Sequence, residues 1–111
     1  MRFAQEVALR DIKESDWKLF RDVRAKALEL FCERALTDLL PLISREGKTW
    51  HERYLDVYRL IDERDDTIAK IFNDFRRSTA LLQLKLMHEA GFVTKDEAER
   101  FSPEAREWLA R

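Results

Sequence analysis

Apolar and polar positions follow one dominant rhythm between Trp50 and Ala90. Tyr54, Tyr58, Ile61, Asp65, Ile68, Phe72, Phe75, Thr79, Leu82 and Leu86 recur at alternating gaps of four and three, the seam of an amphipathic or coiled-coil-like helix. No glycine or proline interrupts it, so the spacing predicts one helix of 41 residues. At 1.5 Å rise such a rod is on the order of 60 Å long. The alternative is a break at Asp65 and Asp66, with Asp66 as the N-cap of a second helix.

The preceding stretch predicts a second long helix, from about Asp16 to Ser44, with Ser15 as N-cap. Lys18, Asp22, Lys26, Glu29, Glu33 and Thr37 make a polar stripe along it, and nearly everything else from Leu28 onward is apolar. So wide an apolar face implies contact with two or more elements. Pro41 predicts a kink or break near Leu40, because it lacks a donor and its ring crowds the carbonyl four residues back. Ser44 to Lys48, with Gly47, is the clearest loop, and Thr49 with Glu52 has the spacing of a capping box. A short loop between long helices places them antiparallel.

After the central stretch, Gly91 predicts a left-handed helix cap. Thr94 with Glu97 repeats the capping-box spacing, and Ser102 followed by Pro103 marks another helix start. Phe92, Val93, Phe101, Trp108 and Leu109 give this tail apolar faces, so it is expected to fold back over the hairpin. At the other end, Phe3, Val7 and Ile12 suit a short helix within Met1–Glu14, while the alternation around Val7, Leu9 and Asp11 also fits an extended segment.

Composition agrees with an all-α single domain over residues 1–111: Gly 2 and Pro 2 leave little punctuation for turns. Charged residues make up 39%, yet the formal net charge is −1, which suits long solvated helix faces more than a polyanionic ligand. Cys32 is the only cysteine, which rules out an intrachain disulfide and fits a reducing compartment. Within an apolar face it is expected to behave as a small hydrophobe. The first residues lack the apolar run of a signal peptide, and no stretch approaches the ~18 apolar residues of a membrane span. These features predict a cytoplasmic location without membrane association.

No complete catalytic constellation or cofactor motif emerges. Asp62 and Asp66, one helical turn apart in an acidic run, are the weak candidates for a metal site, without the glycine and spacing of a calcium loop. His51 and His88 lie near opposite ends of the predicted rod, with no nucleophile motif around either. Arg76, Arg77, Lys70 and Lys85 are the candidates for phosphate contact, but Asp74 is close and no extended basic face forms, so nucleic acid is an unfavoured partner.

The seam itself is more informative. Asp65 and Thr79 interrupt it two heptads apart, and polar seam groups cost stability but can fix register and partner number. An antiparallel homodimer crossing near Asp65 is expected, with His51 of one chain near Thr79 of the other. Leu81 and Leu84 make the last turns of the stretch apolar nearly all round and require cover, from the chain's own N-terminal segment or C-terminal helices, or from a second subunit or another protein. The expected interface is therefore Tyr54, Tyr58, Asp65, Phe72, Thr79, Leu81 and Leu84. The sequence predicts a long antiparallel helical hairpin with short flanking helices, a dimeric bundle acting as a non-enzymatic interaction or regulatory module. A small metal-dependent helical enzyme using residues 62–66 is the alternative, and nucleic-acid binding the second.

Overall fold

A computed structural model describes residues 12–111, and these are all-helical, with no strand among them. The elements are α1 (Glu14–Ile43), α2 (Trp50–Ile71), a 3-10 turn (Arg77–Thr79), α3 (Ala80–Glu89), α4 (Lys95–Glu99) and α5 (Pro103–Ala110). The helix expected near the N-terminus lies almost wholly outside the described residues.

Helix α1 starts two residues before the expected position. Lys13 occupies its N-cap without a side-chain capping bond, and Ser15 lies inside the first turn. Nor does Pro41 break the helix, which continues to Ile43. The proline falls in the last turn, where its missing donor removes only the bond to the Thr37 carbonyl. The Thr49 and Glu52 capping box forms as the spacing predicts, with hydrogen bonds of 2.8 and 3.1 Å.

The single helix expected over 50–90 is corrected by the structure. Helix α2 runs unbroken through Asp65 and Asp66 but ends at Ile71, six residues past the break the sequence allowed. Three interactions stop it there. Phe72 is drawn fully into the core. The guanidinium of Arg24, reaching from α1, donates to the Phe72 carbonyl and, at 2.8 Å, to Gln83 Oε1. A cation at a helix C-terminus also suits the negative end of its dipole. Thr79 then donates to the carbonyls of Asp74 and Arg76, closing the turn that starts α3.

This turn folds α3 back among α1 and α5 and builds a compact head. Phe20, Val23, Ala27 and Phe31 of α1 meet Phe72, Leu84, Met87, Phe101, Ala105 and Leu109 in one core. Gly91, at φ +84°, caps α3 in a left-handed conformation. The amide of Phe92 reaches the Met87 carbonyl and that of Gly91 the His88 carbonyl, a Schellman motif. The tail locks on by the Trp108 indole donating to the Leu81 carbonyl, and by Lys85 donating to the carbonyls of Trp108 and Arg111, each at 2.9 Å.

Beyond the head, the last turns of α1 and the first four turns of α2 project as an arm, while Ile68 and Ile71 at the end of α2 still pack against the core. No residue of α2 is fully buried. Arg64 pairs with Asp38 at 3.4 Å, and nearer the tip Arg53 donates to the Ile43 carbonyl at 3.3 Å. Rising positions of α2 therefore meet falling positions of α1. The described residues extend 56 × 27 × 21 Å with a radius of gyration of 17.5 Å. A compact domain of about 100 residues has about 13 Å.

Candidate functional site

The arm has one apolar side and one polar side. On the polar side, Lys48 pairs with Asp56 at 2.6 Å, Arg59 approaches the same carboxylate at 3.6 Å, and Glu63 lies nearby. The hydrogen bond from Lys48, reinforced by its charge and that of Arg59, holds the Asp56 carboxyl below its usual range.

The other side is where the arm departs from ordinary helix packing. Trp50 is 75% exposed, Tyr54 67% and Tyr58 60%, with Ile61 completing the row on α2. Leu36 at 63% and Leu40 at 62%, with Ile43, form the matching row on α1. Gaps of four and three keep each row on one helix face. Leu36 and Ile61 line one groove, so both rows open on the same side.

That groove lies where the arm joins the head. Its volume is about 220 Å³, and Phe31, Cys32, Leu36, Ile61, Asp65 and Ile68 are among its walls. Cys32 is half-buried there. An apolar cavity of about 150 Å³ suffices to bind benzene, so this groove has room for an aromatic ring.

Charge is unevenly placed along the arm. Near its base lie Glu29, Glu33, Asp62, Asp65 and Asp66 against Arg34, Arg64 and Lys70, an acidic excess, whereas at the tip Arg45, Lys48 and Arg53 are balanced by Glu46, Glu52 and Asp56. Arg53 stacks over Trp50 with its guanidinium carbon 4.4 Å from the ring centroid. The stack orients the indole at the end of the exposed row.

The residues singled out by sequence separate between arm and head. Tyr54, Tyr58 and Asp65 are exposed on the arm. Phe72 and Leu84 are fully buried and Leu81 nearly so, all within the chain's own core. Thr79 spends its hydroxyl on the turn after α2. The cover that Leu81 and Leu84 require comes from inside; Leu82 and Leu86 on the same helix stay exposed, and the larger uncovered apolar surface is on the arm. Leu36, Leu40, Ile43 and Trp50 belong to that surface and were not among the expected interface residues. Their signal was the breadth of the α1 apolar face together with Trp50 at the start of the α2 row.

The candidate chemistry is dispersed. Asp62 and Asp66 are exposed, and among the described residues no three His, Cys, Asp or Glu side chains come together around a possible metal ion. His51 sits at the arm tip, and His88 lies on α3 beside a cleft with Lys95, Glu99 and Arg106. Arg76 pairs with Asp74 at 2.8 Å and Arg77 with Glu14 at 2.7 Å, while Lys85 is committed to the tail carbonyls. Among the described residues, no helix is long and apolar enough to cross a membrane. Comparisons with protein-family models, characterised proteins and solved structures found no match.

Proposed function

We propose that the protein is a non-enzymatic helical interaction module that works through the apolar side of its arm and pairs there with a second copy. One observation carries this reading: seven large apolar side chains, from Leu36 to Ile61, stand exposed on one side of two adjacent helices. Contiguous apolar surface of more than a few hundred Å² marks interaction sites on stable proteins. Trp50, Tyr54 and Tyr58 alone expose on the order of 400 Å², taking about 200 Å² for each aromatic side chain. Two helices forming one layer of a bundle gain a core only when a second layer covers them.

The self-association is tested by sedimentation equilibrium of the full chain between about 1 and 100 μM. Expected is a concentration-dependent shift from 13.3 kDa toward twice that mass. The double variant Tyr54→Glu/Tyr58→Glu places charge on the face without touching the head core. It is expected to remain at monomer mass with an unchanged helical circular dichroism spectrum. A wild-type chain that stays monomeric at every concentration would defeat this reading.

A further inference from the structure

The two apolar rows on the arm are self-complementary under one symmetry operation, and we infer that the second copy lies antiparallel on the first. Its two-fold axis passes beside Tyr58 and Leu40, and each copy's Trp50 is seated in the groove of the other. This inference rests on the self-association proposed above and adds its geometry.

On α2, reversal about a point between Val57 and Tyr58 brings Trp50 opposite the partner's Asp65, and Tyr54 opposite the partner's Ile61. On α1, reversal about Leu40 brings Leu36 opposite the partner's Ser44, beside the partner's Ile43. These two reversals must share one axis. Asp38 lies against Arg64 and Ile43 against Arg53, so Leu40 stands about level with Leu60. Leu60 is two residues from Tyr58, an offset of about 3 Å along the arm. A single axis therefore pairs both rows at once.

Charge selects this direction. An antiparallel partner lays its near-neutral tip, where Arg45, Lys48 and Arg53 offset Glu46, Glu52 and Asp56, over the acidic base at Glu33, Asp62, Asp65 and Asp66. A parallel partner would stack the two acidic bases on each other, and like-charge juxtaposition is strongly disfavoured across an interface.

The groove supplies the third argument. The antiparallel register carries the partner's Trp50 to the level of Ile61, Asp65 and Ile68, where the groove is open. A buried indole needs an acceptor for its N–H. Asp65, the polar residue in the row, has no hydrogen bond or ion pair among the described residues and stands at the groove wall to accept it. Finally, the stretch that this axis pairs, Trp50 to Asp65, is about 24 Å long and two helices wide, roughly 20 Å. Such a strip has on the order of 480 Å² in plan, below the ~800 Å² per partner of a standard interface and in keeping with an association that depends on concentration.

Disulfide trapping on a Cys32→Ser background tests the geometry, because a disulfide requires Cα atoms within about 7 Å. Tyr58→Cys lies on the axis and is expected to form a covalent dimer under mild oxidation. Trp50→Cys lies about 22 Å from its counterpart and is expected to remain uncrosslinked. Trp50→Ala, in the otherwise natural chain, is expected to weaken association at least tenfold while leaving the head's melting transition in place.

The outcomes separate the two levels of the argument. Monomers at every concentration would overturn self-association itself. A dimer in which Trp50→Cys crosslinks as readily as Tyr58→Cys would overturn the antiparallel direction and leave the arm face as the interface. A dimer in which Tyr58→Cys does not crosslink would overturn the axis. Unchanged association of Trp50→Ala would overturn its seating in the groove.

Discussion

Arg24 joins three elements through one guanidinium. It caps the end of α2 at the Phe72 carbonyl, satisfies the buried side chain of Gln83 on α3, and lies 4.2 Å from the centroid of the Phe75 ring. Burial pushes its pKa below the ordinary value, but an arginine keeps its charge. Arg24→Met would leave the Gln83 amide buried without this partner and the α2 end uncapped. A loss of about 2–3 kcal/mol is expected from urea denaturation, as for a hydrogen bond to a charged group. Asp16 acts in the same way at the other side of the head. Its buried carboxylate accepts from the amide and hydroxyl of Ser102, which caps α5. Neither role was legible in the sequence, because the partners stand 48 to 86 positions away. The caps made within one turn were legible, and they give the chain a pH dependence. Burial, the largest single influence on Glu97, raises its pKa, but the hydrogen bonds from Thr94 and the approach of Lys26 together bring it below the ordinary 4.5. Glu52 is lowered by its bonds with Thr49, and Glu104 by its bond with Lys13. A carboxyl whose folded pKa lies below its unfolded value stabilises the fold fully above the unfolded value, and that stability disappears as pH falls through the folded one. The melting temperature is therefore expected to be level above about pH 5 and to fall below about 4.5. Glu97→Gln should flatten this fall, and Thr94→Ala should cost about 1 kcal/mol at neutral pH.

At the scale of elements, one heptad pattern serves two different environments. Tyr54, Tyr58 and Ile61 extend it along the solvent side of the arm, whereas Phe72 continues it into the core of the head. Periodicity reports that a face is apolar and is silent about what covers it. This is why helix existence, both capping boxes, the Gly91 cap and the Ser102 start were legible, while the end of α2 was not. The local signal for that end was Asn73 followed by Asp74, residues whose side chains compete with helical backbone bonds. Alone it is weaker than an uninterrupted seam, and the contact with Arg24 decides the matter. The two environments make opposite predictions for substitutions in the same pattern. Phe72→Ala removes a fully buried ring and is expected to cost about 3–5 kcal/mol in denaturant unfolding. Tyr54→Ala removes an exposed ring and should change unfolding of the dilute chain by less than about 0.5 kcal/mol. Its effect should appear instead as weaker association at high concentration. Equal destabilisation by the two would mean that the arm side chain is buried within the monomer.

For the whole molecule, the division into head and arm determines what an assembly looks like. The head has its own core and its own locked tail, and Phe75, Leu82 and Leu86 are the large apolar side chains it leaves exposed among the described residues. The arm has two helices and one uncovered side, and only there does a second copy complete a layer. Direction then sets overall length. Two molecules 56 Å long, each with its tip about 16 Å past an axis beside Tyr58, overlap by roughly 32 Å, place their heads at opposite ends and reach roughly 80 Å. A parallel pair keeps the heads side by side and stays near the 56 Å of one molecule. Small-angle scattering from the full chain, at a concentration where sedimentation finds the dimer, is expected to give a maximum dimension near the longer value. The distance distribution should carry a shoulder from the separated heads. A dimer no longer than about 60 Å would exclude the antiparallel arrangement whatever its interface energy. Raising salt from about 50 to 500 mM supplies a second readout at this scale, because it screens the tip-to-base charges without weakening apolar contact. The dimer should weaken modestly and keep its length, since charge selects the direction and the apolar rows supply most of the attraction.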